Sequence, residues 1–197
     1  MSAVGVLGGT FDPLHFGHLR AAEVARDALT LDRVLFVPAA NPPHKQEATV
    51  TDVRARVEML ERALAGEADF ELSRVEIDRK GPSYTIETLD ELQAQHPTAD
   101  LWFITGSDAF MEIRTWKDWE PLLDRYSFAV HERPGVDIDA AASAVPETFR
   151  KNIVFLKREM LNVSSTDIRR LARSRQSIRF LVPDVVDEYI RRNQVYG

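Results

Sequence analysis

Two histidines, His15 and His18, close a glycine-rich segment over residues 8–18, which reads GGTFDPLHFGH. The segment follows a short apolar run and precedes a helical pattern, so it is predicted to join a buried strand to a helix. Glycines let the backbone approach a ligand, and a helix N-terminus offers unpaired N–H groups and a partial positive charge. Histidines three residues apart project from nearly one face of a first helical turn. The segment therefore predicts a phosphate site.

The same histidines allow two other interpretations. A pair with this spacing could bind a metal ion, but no Asp or Glu follows one turn later and the chain has no cysteine, so we rank metal below phosphate. His15 could instead hydrogen-bond within the fold, and this stays open beside ligand contact, whereas for His18 we favour ligand contact. Gly17, which lies between them, is expected to leave room for an oxygen-rich ligand.

A second polar segment begins the predicted helix that follows the last strand. Residues 164–166 are Ser-Ser-Thr, and Arg169 comes one turn later. In the simplest interpretation Ser164 caps the helix and its neighbours are incidental. Residues 150–180, however, carry nine Lys or Arg against two Asp or Glu. We therefore favour a polyphosphate site, in which hydroxyls, backbone N–H groups and Arg169 face one anion.

Short apolar runs alternate with helical patterns along the chain. Strands are predicted at 4–7, 34–37, 70–77, 101–104, 126–131 and 153–156, with helices between them and a last helix at 182–190. This alternation is typical of an α/β fold, a Rossmann-like doubly wound parallel sheet with helices on both faces. We expect one domain over 1–197 with a small C-terminal helical extension. We also expect the first and last strands to lie side by side at the switch point, so that both polar segments clamp one nucleotide.

Composition narrows the class of protein. The chain has 197 residues, a formal net charge of -6 and no cysteine. The length suffices for one domain with a full core. The lack of cysteine excludes disulfide scaffolds, thiol nucleophiles and cysteine zinc sites. The acidic balance argues against a protein that coats nucleic acid, and neither a signal peptide nor a bilayer-length apolar run is found, so we expect a cytoplasmic protein.

The chemistry-bearing segments resemble those of a known family. Residues 8–18 resemble the signature of the nucleotidyltransferase superfamily that carries an H-x-G-H element, and residues 164–169 resemble its second signature. Three further stretches resemble the bacterial nicotinate-nucleotide adenylyltransferases: 37–45, 81–89, and 106–108 followed by Trp116. The resemblance extends over essentially the whole chain. Two mild departures are Val163, where isoleucine is common, and Lys117, where an aromatic residue sometimes stands.

The resemblance implies an enzyme that transfers an adenylyl group from ATP to nicotinic acid mononucleotide, giving deamido-NAD and pyrophosphate in NAD biosynthesis. Mg²⁺ is expected to accompany ATP, and no metal ion is expected to be held by protein side chains alone. The implied partners are these two substrates, with no nucleic acid and no membrane. Self-association into a homo-oligomer is left open.

The same resemblance assigns residues to three roles. The catalytic residues are expected to be His15, His18, Lys45 and Arg169. The expected contacts with ATP are Gly8, Gly9, Thr10, Phe11, His15, His18, Ser164, Ser165, Thr166 and Arg169. The expected contacts with the nicotinate nucleotide are His44, Lys45, Tyr84, Thr85, Gly106, Asp108, Trp116 and Arg133.

Several alternatives stay open beside these roles. Lys45 could be a solvated loop lysine, Trp116 an ordinary half-buried aromatic, and Asp108 a partner of either a ribose hydroxyl or the phosphates. Within the superfamily, phosphopantetheine or nicotinamide mononucleotide could be the acceptor instead. A nucleotide-binding regulator without turnover is the rival from another class, and the intact His15, His18 and Arg169 argue against it.

Overall fold

A computed structural model describes residues 2–40, 50–133 and 135–197 of the protein. Its strands are β1 (Ala3–Gly9), β2 (Arg33–Pro38), β3 (Phe70–Leu72), β4 (Asp100–Gly106), β5 (Ser127–His131) and β6 (Ile153–Leu156). They form one six-stranded sheet in the order β3-β2-β1-β4-β5-β6, in which every neighbouring pair is parallel. This order reverses between β1 and β4, as in doubly wound folds. The predicted Rossmann-like α/β fold is therefore confirmed.

Helices connect the strands and cover both faces of the sheet. They are α1 (Phe16–Leu29), α2 (Val53–Leu64), α3 (Val75–Asp78), α4 (Thr85–Gln95), α5 (Ser107–Met111), α6 (Trp119–Arg125), α7 (Ile138–Ser143), α8 (Ser165–Arg173) and α9 (Asp184–Asn193). Alternate strand residues point to opposite faces, so Val6 of β1 packs with α4 whereas Leu7 packs with α1 and α2. A third apolar cluster joins α8 and α9 to Met59 of α2. In the described part of the chain, no helix is long and apolar enough to cross a membrane.

The predicted strand over 70–77 is wrong in its second half. Strand β3 ends at Leu72, and Val75 begins the short helix α3. The apolar residues are spaced by two between Phe70 and Leu72 but by three between Leu72 and Val75, so the strand period is broken there. Val75 then turns its side chain into the core cluster that contains α4.

The expected adjacency of the first and last strands is also wrong. Strands β4 and β5 lie between β1 and β6, and β6 is at the edge of the sheet. The two polar segments nevertheless meet, because the chain after β6 returns across the carboxyl ends of the strands to begin α8. Hydrogen bonds from Ser165 and Arg169 to carbonyls of the loop between β1 and α1 hold the start of α8 at that loop.

Candidate active site

Two histidines cap the N-terminus of α1. His15 is the N-cap, and its Nδ1 accepts a hydrogen bond from the His18 backbone N–H at 3.3 Å. In return, the His18 Nδ1 accepts one from the His15 N–H at 3.3 Å. The rings stack with centroids 3.6 Å apart. Because both Nδ1 atoms accept, each neutral ring carries its proton on Nε2, the form that donates a hydrogen bond from Nε2.

The environment of His15 keeps its ring neutral. The side chain is 2% exposed. Burial, assisted by the positive charge of Arg133, lowers the pKa of His15 from 6.5 to about 4, although its backbone hydrogen bond opposes the shift. Hydrogen bonding within the fold, the alternative left open above, is thus present, and ligand contact by His15 stays a prediction.

Glycine is needed at position 17 because neighbouring groups leave no space for a side chain, and not because a ligand lies there. A Cβ at this position would lie 2.9 Å from two atoms of the His15 ring and 3.3 Å from the carbonyl oxygen of Val163. The expected room for an oxygen-rich ligand is therefore taken by the His15 ring and by the segment that leads into α8. A side chain here would force one of them away.

Two side chains of α8 hold the loop between β1 and α1. The Ser165 hydroxyl donates to the carbonyl of Pro13 at 3.1 Å. The Arg169 guanidinium donates from Nη1 to the carbonyl of Asp12 at 2.8 Å. These bonds bring the N-termini of α1 and α8 to one place, although the strands before them are not neighbours. Two helix N-termini beside an arginine form an environment suited to a polyphosphate.

The other hydroxyls of the second segment also have protein partners. Ser164 is the N-cap of α8, where its Oγ accepts from the Asp167 N–H at 3.1 Å and donates to the Asp167 carboxylate at 2.7 Å. The Thr166 hydroxyl accepts from Arg169 at 3.2 Å. The simpler interpretation of Ser164 as a cap is therefore correct. Contacts of these hydroxyls with ATP stay predictions.

Residues 8–15, hereafter the β1 turn, run from the end of β1 to the N-cap of α1. Two glycines and Phe11 shape the backbone of this turn. The Phe11 side chain is 1% exposed and its ring meets the His18 ring edge-on, with centroids 5.0 Å apart. Phe11 can therefore reach a nucleotide only through its backbone, and its ring instead orients His18. A Cβ at Gly8 would lie 3.3 Å from the Phe103 ring, and one at Gly9 would lie 3.2 Å from the Phe11 ring.

Gly106, Asp108 and Arg133 meet where β4 and β5 end. Gly106 pairs with His131 across these strands. The Arg133 Nε lies 3.5 Å from the Asp108 carboxylate, and its backbone N–H donates to the Ser107 hydroxyl at 3.0 Å. A Cβ on Gly106 would clash with that carboxylate and come within 2.8 Å of the Arg133 Cγ. Three predicted contacts with the mononucleotide are thus gathered beside the β1 turn.

Tyr84, Thr85 and Trp116 form a neighbouring group at the start of α4. Tyr84 is the N-cap of α4, and its side chain makes no cap hydrogen bond. The Lys117 ammonium lies 4.6 Å from the centre of the Tyr84 ring. Trp116 is half-buried and packs edge-on against Phe103 of β4 at 5.9 Å. Lys117, one of the departures from the family pattern, therefore covers Tyr84.

Two predicted site residues, His44 and Lys45, lie outside the described residues. Among residues 2–40, 50–133 and 135–197, no group of three or more His, Asp or Glu side chains is assembled to hold a metal ion.

Sequence reasoning missed a buried polar group behind the β1 turn. It consists of Asp12, Arg56 and Tyr196, whose side chains are all nearly inaccessible. One signal was present in the sequence: Arg56 falls three residues after Val53 and four before Leu60, on the apolar face of the predicted helix. An arginine at such a position needs internal partners.

Sequence comparisons with known proteins identify relatives along nearly the whole chain. Residues 6–171 match the family described as cytidylyltransferase-like. A protein of Moorella thermoacetica named "probable nicotinate-nucleotide adenylyltransferase" is 43% identical over 98% of this chain and 91% of its own length. A protein of Clostridium tetani with the same name is 38% identical over the whole of both chains.

Solved structures show the same fold. Nicotinic acid mononucleotide adenylyltransferase from Plasmodium falciparum, complexed with NaAD, superposes with a TM-score of 0.82 at 18% identity, over 100% of this chain and 98% of that one. A putative nicotinate-nucleotide adenylyltransferase from Vibrio parahaemolyticus gives 0.71 at 20% identity, over 100% and 96%. The full-length sequence matches, above all, establish that the chain belongs to the nicotinate-nucleotide adenylyltransferase family of the cytidylyltransferase-like nucleotidyltransferases.

Proposed function

We propose that the protein transfers the adenylyl group of ATP to nicotinic acid mononucleotide, forming deamido-NAD and releasing pyrophosphate. The names of its full-length relatives support this reaction. The observation that carries it in the structure is the meeting of two helix N-termini, which Ser165 and Arg169 hold together at the β1 turn. Such a place suits the triphosphate of ATP.

In the proposed reaction, a phosphate oxygen of the mononucleotide attacks the α-phosphorus of ATP in line. The bond to the bridging α–β oxygen breaks, and that oxygen leaves with pyrophosphate. Catalysis then consists of positioning and charge stabilisation, so no covalent enzyme intermediate is needed. We assign the Nε2–H groups of His18 and His15 as hydrogen-bond donors to the phosphates. Arg169 is assigned to offset the negative charge on the leaving pyrophosphate. Lys45 is proposed for the same task.

We further propose that Mg²⁺ enters with ATP. Mg²⁺ commonly keeps several waters and binds substrate phosphates with few protein ligands. The described residues fit that mode, because the histidine Nδ1 atoms already accept backbone N–H groups and Asp108 is paired with Arg133. When bound, the ion neutralises part of the triphosphate charge.

For the acceptor, we propose that the start of α4 holds the nicotinate carboxylate. The Tyr84 side chain does not cap the first N–H groups of this helix, and a helix N-terminus favours a negative charge. Trp116 is proposed to stack on the pyridine ring. The NH₂ of a nicotinamide would face these N–H donors and leave both sides unpaired, so the amide is rejected. Arg133, with Asp108 and Gly106, is proposed to face the ribose and phosphate.

Pyrophosphate release with ATP and Mg²⁺ tests this proposal, with nicotinic acid mononucleotide compared against nicotinamide mononucleotide. We expect strong preference for the acid, and a loss of kcat on the order of 100-fold in His18→Ala. His96→Ala is the matched control, because His96 caps the opposite end of α4, about 16 Å along the helix from Thr85. Equal rates with both acceptors would contradict carboxylate recognition. ATP binding without turnover of either acceptor would favour a different acceptor or a regulator.

A further inference from the structure

A buried arginine connects three backbone segments behind the proposed ATP site. Arg56 of α2 is 1% exposed. Its Nη1 donates to the carbonyls of Thr10 at 2.7 Å and Ala39 at 2.9 Å, and its Nε donates to the carbonyl of Thr51 at 3.0 Å. Burial lowers the pKa of this guanidinium, although neighbouring acidic groups oppose the shift. One side chain therefore holds the β1 turn, the residue after β2 and the residue before the N-cap of α2.

Asp12 completes this arrangement from the other side. The side chain is 3% exposed, and one carboxylate oxygen accepts from the Tyr196 hydroxyl at 2.8 Å while the other accepts from the Thr51 N–H at 3.1 Å. Burial and the nearby Asp12 raise the pKa of Tyr196, so that its hydroxyl remains a donor. The backbone carbonyl of Asp12 is the group that Arg169 binds.

Thr10 and Asp12 lie in the turn that leads to His15. Ala39 follows the last residue of β2, and Thr51 precedes the N-cap of α2. The turn is thus bonded to the end of a strand and to the start of a helix. A buried charge is expensive unless every partner is in place, and well-packed apolar side chains often provide the same stability or more. Buried polar groups of this kind can instead fix the geometry of the segments that they join.

We propose that Arg56 and Tyr196 are positioning residues for adenylyl transfer. Arg56 holds the ATP-binding turn against the end of β2 and the start of α2, and Tyr196 acts on the same turn through Asp12. The inference rests on the proposed function. Both side chains act on the ATP side, and loss of the Arg56 fork, which makes three hydrogen bonds, has the larger effect.

Steady-state kinetics of Tyr196→Phe and Arg56→Lys test this assignment. Tyr196→Phe removes one hydrogen bond, so we expect the KM for ATP to rise about 5-fold while the KM for nicotinic acid mononucleotide stays within about 2-fold. Arg56→Lys keeps the charge, but a compact ammonium does not span three carbonyls. We expect the KM for ATP to rise about 10-fold and kcat to fall about 10-fold, while the KM for nicotinic acid mononucleotide stays within about 2-fold.

The matched control is Tyr189→Phe, on α9, where the ring packs beneath Arg62 at 5.2 Å. This variant should keep both KM values and kcat. All rates are measured well below each variant's unfolding temperature. If Tyr196→Phe and Arg56→Lys only lower that temperature and leave kcat and both KM values unchanged, the two residues are structural and the inference is overturned.

Calorimetry with ATP and Mg²⁺, in the absence of an acceptor, separates this inference from the proposed function. Weaker ATP binding by Tyr196→Phe than by Tyr189→Phe would support positioning of the turn even if the wild type does not turn over nicotinic acid mononucleotide. Equal ATP affinity in the two variants would overturn the role of Tyr196, whichever acceptor the enzyme uses.

Discussion

The buried His15 should make the stability of the protein depend on pH in a window set by its own titration. Its pKa is about 4 in the folded protein against 6.5 for an unperturbed histidine. The folded state therefore excludes a proton that the unfolded chain binds between these values. The contribution of neutral His15 is fully present above pH 6.5 and is lost as the pH falls from 6.5 towards 4. With about 1.4 kcal/mol per pKa unit, the loss from pH 7 to pH 5 is about 2 kcal/mol.

The experiment compares the wild type with His15→Asn in urea unfolding at pH 7 and pH 5. Asparagine is a good N-cap, so its side-chain oxygen can replace Nδ1 as the acceptor for the His18 N–H, and it does not titrate. We expect the free energy of unfolding to fall by about 2 kcal/mol more in the wild type than in the variant. The comparison is needed because burial also lowers the pKa of His131, whose contribution is common to both proteins.

Parallel pH dependence in the wild type and His15→Asn would refute this reasoning. It would mean that His15 is protonated in the folded protein as readily as in the unfolded chain. The burial of the ring and its acceptor role at Nδ1 would then both be wrong. A direct titration of the ring by NMR gives the same answer independently, since an apparent pKa near 6.5 contradicts the structure.

Two substitutions test the junction of the two signature segments. In an ordinary helix interior, a Gly→Ala substitution stabilises the protein by about 1 kcal/mol. At Gly17 the new Cβ would lie 2.9 Å from the His15 ring, so we expect Gly17→Ala to lower the free energy of unfolding in urea by about 1–3 kcal/mol and to lower kcat. An increase in stability would contradict the packing described. Arg169→Lys replaces a planar fork by an ammonium, so kcat should fall at least about 10-fold in the pyrophosphate assay. Arg170→Lys, at an exposed position paired with Asp167, is its control and should retain wild-type rates, and equal losses in both variants would argue against a special role for Arg169.

Much of this protein follows from local sequence patterns. The apolar runs that became β1, β2, β4, β5 and β6 are recognisable because a strand buried on both faces must be apolar over several consecutive residues. The cap of α2 at Asp52 and that of α8 at Ser164 are local too, since an N-cap bonds a backbone N–H two or three residues away. The two signature segments were likewise visible, because their residue types and spacing lie within a dozen positions.

Tertiary structure decided the features that depend on distant partners. No local pattern shows that β6 lies at the sheet edge. The hydrogen bond from Arg169 to the Asp12 carbonyl, 157 residues away, is therefore known only from the tertiary structure. The same holds for the bond from Tyr196 to Asp12, which are separated by 184 residues. Sequence periodicity reports which face of an element is apolar, whereas a buried hydrogen bond depends on which elements meet there. The sequence therefore predicts which residues could hold ATP, whereas the tertiary structure determines the contacts that set their geometry.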